Sequence, residues 1–202
     1  MKKYPLTDLV ILAGGQARRM NGVNKLLQTF DDQMQLLKIY NTFKGQVGKV
    51  WINSHRDTRL YQQIIPNIQC YADDQAGFLG PLMGLKSAWS HVQANYVLFI
   101  PCDVTYIPTK VLQTLHDTLL QDQHALMSYV NINGDALYPF CLMKRESCTV
   151  LQQHLLENQL SLNKCRKDLH AQVAYFRKHR LFFHSINSLD ELQQYKQLNY
   201  LA

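Results

Sequence analysis

Short, almost wholly apolar runs alternate along this chain with stretches whose apolar residues recur every three or four positions. The runs at residues 9–13 and 96–100 are too short and too uniformly apolar for surface helices and read as buried strands, and the short runs at 49–53, which is β-rich, and 68–72 read as further strands. Residues 34–43 place Leu36, Leu37, Tyr40 and Phe43 at helical spacing. Asp57 is expected to cap a helix running through Ile65, and Gly80-Pro81 forms a turn into a helix over residues 82–91. Pro108 suits the first turn of a helix with Val111, Leu112, Leu115 and Leu119 on one face. Repeated strand–helix–strand units with apolar strands predict an α/β fold with a mostly parallel sheet covered on both faces.

The last third is less regular. Residues 125–129 and 136–143 read as strands joined by a turn at Asn133-Gly134-Asp135, followed by a helix over 149–160 and a strand over 181–186. Ser188-Leu189-Asp190-Glu191 has the form of a capping box opening a final helix. No linker, repeat or low-complexity segment interrupts the chain, so residues 1–202 are expected to form one domain.

In a parallel sheet the ligand sits at the carboxyl ends of the strands. Gly14, Asn53, Asp73 and Asp103 each fall at or just past the end of a predicted strand, so four independent strand ends converge on one crevice. After the strand at 9–13, Gly14 and Gly15 let backbone N–H groups approach a ligand closely, as phosphate oxygens require. Arg18, Arg19 and Lys25 then supply countercharge to a polyanion. Asp103 follows an apolar strand and Pro101-Cys102, a placement suited to a Mg²⁺ ion that bridges phosphate oxygens. The spacing matches neither a P-loop nor a dinucleotide fingerprint, which excludes the ordinary kinases, GTPases and dehydrogenases.

Composition narrows the classes further. The 202 residues are 47% hydrophobic and 18% charged, a globular balance. The net charge of +6 fits a small polyanionic substrate, while the scattered aromatic residues argue against nucleic acid. Five cysteines without CxxC spacing point to free thiols rather than a disulfide framework or zinc site. The apolar run near the N-terminus is too short for a secretory signal, and no run reaches the length of a membrane span. A cytoplasmic protein without membrane partners is expected.

Three segments together carry a family resemblance: Leu12-Ala13-Gly14-Gly15…Arg19-Met20…Lys25, Gly80-Pro81-Leu82…Gly84, and Pro101-Cys102-Asp103…Tyr106-Ile107-Pro108. With the ending Ser185-Ile186-Asn187-Ser188…Glu191-Leu192, they resemble the molybdenum cofactor guanylyltransferases of the MobA type over nearly the whole chain. The resemblance implies a Rossmann-like three-layer sandwich of the glycosyltransferase-A type. It implies transfer of GMP from GTP to molybdenum–molybdopterin, with Mg²⁺ as cofactor and release of pyrophosphate. Leu12, Ala13, Gly14 and Gly15 are then expected to line the nucleotide, with Arg19 and Lys25 facing its phosphates. Asn53 and Asp73 are expected near the base and ribose, Asp103 on the metal, Gly80 on another wall, and Asn187 on the acceptor side. Arg19, Lys25 and Asp103 would carry the chemistry. Molybdenum-insertion proteins and apo-molybdoenzymes are the implied protein partners.

This chain departs from the family pattern in four places. Asn24 stands where Asp usually precedes the lysine, Thr105 replaces a proline, Tyr138-Pro139 replaces His-Pro, and Ser185 replaces the first Asn of Asn-x-Asn. Two alternatives therefore stay open: a related nucleotidyltransferase using CTP or another acceptor, and a non-catalytic carrier of the molybdenum cofactor. Arg166, Lys167, Arg177, Lys178, His179 and Arg180 form a basic group that either docks an anionic partner or is a solvated face.

Overall fold

The computed structural model describes residues 4–15, 22–30, 32–75, 80–179 and 183–200. Nine strands occur among them: β1 (Thr7–Leu12), β2 (Thr29–Phe30), β3 (Gln33–Met34), β4 (Val50–Asn53), β5 (Gln69–Tyr71), β6 (Tyr96–Pro101), β7 (Met127–Ile132), β8 (Asp135–Lys144) and β9 (Gln172–Phe176). The α-helices are α1 (Gln35–Phe43), α2 (Thr58–Ile64), α3 (Pro81–His91), α4 (Val111–Leu119), α5 (Ser147–Leu156), α6 (Leu162–Cys165) and α7 (Leu189–Tyr200). Seven strands form one sheet in the order β5-β4-β1-β6-β8-β7-β9, and β2 pairs with β3 in a separate hairpin.

Strands β5, β4, β1 and β6 are mutually parallel, whereas β8 runs antiparallel to both β6 and β7. The sheet is therefore mostly parallel, as expected, with one reversed strand from the hairpin at Asn133-Gly134. Alternation along β1 explains its unbroken apolar run: Leu9 and Ile11 pack with Leu36, Ile39 and Leu115, while Val10 and Leu12 pack with Leu82, Leu85 and Leu162. Helices α1, α2 and α4 thus cover one face, and α3, α5 and α6 the other. None of the helices among the described residues is long and apolar enough to cross a membrane.

Several local expectations need correction. Pro108 lies before α4 rather than in its first turn, because Lys110 takes a left-handed conformation (φ 57°) at the helix cap. Asp57 stands at the cap position of α2 with φ 62° but makes no capping bond; its carboxylate is held elsewhere. The helix expected over 149–160 spans Ser147–Leu156, and α6 follows it separately. Of the strand expected over 181–186, residues 181–182 fall outside the described set, and Ser185 makes only an isolated bridge with Val104. Ser188 accepts from the Glu191 N–H at 3.1 Å, but Glu191 accepts from the Asn187 N–H rather than from that of Ser188, one residue beyond the regular capping-box partner.

At the end of the sheet remote from these loops, His116 is fully buried between Tyr4 and Tyr96. The Thr7 hydroxyl donates to the Pro5 carbonyl at 3.0 Å, so it accepts from His116 Nε2 at 2.8 Å. Burial pushes the imidazole down to about 4, against a small opposing pull from Asp117. The unfolded chain takes up this proton below about pH 6.5, whereas the folded one takes it up only near pH 4. Stability contributed by the neutral ring is thus intact above that window and falls as pH drops through it, by at most about 3 kcal/mol. Urea unfolding at pH 7 and 4.5 should show this loss, and a smaller one in His116→Gln.

Candidate active site

The carboxyl ends of β1, β4, β5 and β6 open into a cavity of about 580 Å³, within the range of pockets that enclose small ligands. Each parallel strand delivers its following residues to the same edge, and neighbouring strands are hydrogen-bonded in register. The Ala13 N–H donates to the Asn53 carbonyl at 2.9 Å, and the Cys102 N–H to the Leu12 carbonyl at 3.1 Å. Leu12, Ala13, Gly14 and Gly15 from the first loop line the cavity, as do Lys25, Asn53, Asp73, Gly80 and Asp103. The residue pattern marked Gly14, Gly15, Lys25, Asn53, Asp73 and Asp103 of this wall, and the family resemblance implied Leu12, Ala13 and Gly80. Arg19 lies outside the described residues.

Two clusters divide the cavity. In one, Asn53 is 2% exposed and donates through Nδ2 to Asp73 Oδ1 at 2.8 Å. The other Asp73 oxygen meets His55 Nε2 at 3.1 Å. A Cβ on Gly14 or Gly84 would approach Asn53 Oδ1 to 2.8 or 2.7 Å. The absence of side chains at both positions is what admits the asparagine, which in turn holds Asp73 toward the cavity.

In the other cluster, Lys25 sits on a single 3-10 turn, Lys25–Leu27, and its Nζ lies 3.0 Å from Asp103 Oδ2 and 3.2 Å from Asn187 Oδ1. The loop lysine, the acid after β6 and the asparagine before α7 thus meet from sequence separations of 78 and 162 residues. Asn187 touches the cavity's lysine without itself lining the wall. Cys102 forms part of the floor; burial, and to a lesser degree the Asp103 charge, push its thiol up to about 12, so it stays protonated.

Sequence reasoning missed a bracket behind Lys25. Asn24 caps the lysine's turn by accepting from the Leu26 N–H at 3.0 Å. Its amide donates to Asp57 Oδ2 at 2.7 Å and to the Tyr61 hydroxyl at 2.8 Å. Tyr61 is nearly fully buried, and burial raises its phenol above the ordinary value. The unusual Asn24 is therefore matched to its surroundings: an aspartate there would face the carboxylate of Asp57. Asn24→Asp should destabilise the protein by about 2 kcal/mol. Adding Asp57→Asn should recover most of that loss, because the pair again has one donor and one carboxylate. Urea unfolding of the single and double variants measures this coupling.

The cavity also takes in Arg56 and Tyr61, from the segment after β4. The signal for Arg56 was present: it stands three residues beyond Asn53, at a strand end already marked. The basic group does not converge on the site as one unit. Arg166 donates to the Tyr129 hydroxyl at 3.3 Å, Lys178 Nζ lies 5.0 Å from the Tyr106 ring centroid, and Arg180 falls outside the described residues.

Among known proteins, the family model described as the MobA-like NTP transferase domain matches residues 9–174. The molybdenum cofactor guanylyltransferase of Acinetobacter baumannii (strain ACICU) is 67% identical over 197 residues, covering 98% of this chain and 94% of that protein. The protein of the same name from Pasteurella multocida is 37% identical, covering 91% of this chain and 96% of its own. The crystal structure of molybdopterin-guanine dinucleotide biosynthesis protein A from Archaeoglobus fulgidus superposes with a TM-score of 0.70 at 15% identity, covering 96% and 100% of the two chains.

Proposed function

Since this chain belongs to the MobA-like NTP transferase family, we propose that it transfers GMP from GTP to molybdenum–molybdopterin and releases pyrophosphate. The observation that carries this reading is the meeting of Gly14, Gly15, Lys25, Asn53, Asp73 and Asp103 at one cavity. The names of relatives at 67% and 37% identity agree with it.

The nucleotide is assigned by chemistry. Gly14 and Gly15 leave room for phosphate oxygens against the backbone, and Lys25 supplies charge beside them. Asn53 and Asp73, fixed by their mutual hydrogen bond, are assigned to the base and ribose. Asn187, which meets Lys25 from the far side of the chain, is assigned to the acceptor side. Arg19 is assigned to the phosphates on the resemblance alone.

The donor set at Asp103 is one carboxylate, and the described residues hold no group of three or more His, Cys, Asp or Glu that could ligate a metal. That set fits Mg²⁺, which is commonly held by one or two carboxylates together with substrate phosphates. Asp103 would hold the ion, which when bound supplies positive charge to the phosphate oxygens. Lys25 neutralises the same region and orients the triphosphate. The acceptor is a terminal phosphate whose second ionisation lies near about pH 6, so it is already mostly anionic at neutral pH. No general base is required. The difficulty is to bring one anion against another, and the residues here overcome it by positioning and charge stabilisation for an in-line displacement at the α-phosphorus.

Turnover assays with GTP and CTP side by side, in Mg²⁺ and with molybdenum–molybdopterin as acceptor, test the reading. The guanine dinucleotide should form at least tenfold faster than the cytosine product. Equal or faster turnover of CTP, or none with GTP, would overturn it.

A further inference from the structure

We propose that Arg56 is a further triphosphate-binding cation, aimed into the cavity by the bracket that Asn24, Asp57 and Tyr61 form. The inference rests on the nucleotide reading above and names a residue which that reading leaves unused.

Among the described residues lining the cavity, the cations are Lys25 and Arg56 and the acids are Asp73 and Asp103. Their formal charges cancel, while a nucleoside triphosphate carries several negative charges. Lys25 Nζ is already engaged by Asp103 at 3.0 Å and Asn187 at 3.2 Å. Lys25 thus keeps one N–H of three, whereas Arg56 has more donor capacity left over. Its guanidinium meets a carboxylate only through Nε, 3.6 Å from Asp57 Oδ2, and neither Nη group donates to another of the described residues. Five N–H donors in a planar fork suit phosphate oxygens, two at a time.

Placement supports the same conclusion. The Arg56 backbone is pinned on both sides by Ser54, whose hydroxyl donates to the Arg56 carbonyl at 2.8 Å and accepts from its N–H at 3.3 Å. The Asp57 oxygen that faces Nε also accepts from Asn24 at 2.7 Å. One carboxylate oxygen therefore ties the arginine's segment to the turn carrying Lys25. Nη1 lies 3.9 Å from the position a Cβ on Gly22 would take, against the start of that loop. The side chain is 42% exposed, so it can reach a ligand without first leaving a core.

Calorimetric titration with GTP and with guanosine, in Mg²⁺, separates phosphate contacts from base contacts. Arg56→Gln should weaken GTP binding about tenfold and leave guanosine within twofold, and Arg56→Lys should retain part of the GTP affinity. Circular dichroism of each variant confirms that the fold persists. GTP affinity within threefold of the parent protein in Arg56→Gln, or an equal loss for guanosine, would overturn the assignment. Failure of the parent protein to bind GTP would instead overturn the nucleotide reading on which it rests.

Discussion

Replacing Asp103 with alanine is expected to lower GMP transfer by a factor of about 10³ or more, a barrier change of about 4 kcal/mol. Asp103 is the carboxylate at the end of β6 and the partner of Lys25 at 3.0 Å. Its loss removes the assigned ligand of the divalent ion and releases Lys25 from one of its two side-chain partners. The cavity also becomes more positive by one charge, so GTP should still bind. The expected pattern is a collapse of kcat with a KM for GTP changed less than fivefold. Steady-state kinetics with GTP and the acceptor decide the point. A carrier that binds the finished cofactor without catalysis has no use for Asp103 in turnover, so unchanged product formation would favour that alternative.

Gly84→Ala should weaken GTP binding by about thirtyfold, even though alanine is the better helix former by up to about 1 kcal/mol. Gly84 lies within α3, where its new Cβ would come within 2.7 Å of Asn53 Oδ1 and 3.2 Å of Leu12 Cδ2. Asn53 is almost fully buried and cannot swing into solvent. It has to turn away, breaking its 2.8 Å bond to Asp73 and disturbing the wall assigned to the base and ribose. Gly45→Ala is the control, because nothing lies within 4 Å of its added Cβ. Calorimetry of both variants should show a loss at position 84 alone; parent-like affinity in Gly84→Ala would contradict the role given to Asn53.

The central sheet and the cavity edge were legible in the sequence for one physical reason. Buried parallel strands must be apolar on both faces, so β1 and β6 stand out as runs, and the polar residue that ends each run marks the ligand edge. Gly14, Asn53, Asp73 and Asp103 were found in this way. Strand β9 was missed although Val173-Ala174-Tyr175-Phe176 is an apolar run: the run is short, and the strand pairs on one side only, with β7, leaving Tyr175 exposed. The start of α4 was misplaced because the left-handed turn at Lys110 has no sequence cue of the kind glycine gives. Asp57 misled for a related reason: an aspartate before a helix usually caps it, but here a tertiary partner, Asn24, takes the carboxylate. The Asn24–Asp57–Tyr61 bracket joins residues 33 and 37 positions apart and leaves no local pattern. Arg56 carries no such mark, because it stands three residues past the end of β4.

The most direct test of the shared site is a calorimetric comparison of GTP binding with and without Mg²⁺, in the parent protein and in Asp103→Asn. If the loop at Gly14-Gly15 and the carboxylate after β6 hold one triphosphate and its ion together, Mg²⁺ tightens GTP at least tenfold in the parent and less than twofold in the variant. An equal tightening in both proteins would place the ion away from Asp103 and contradict the account.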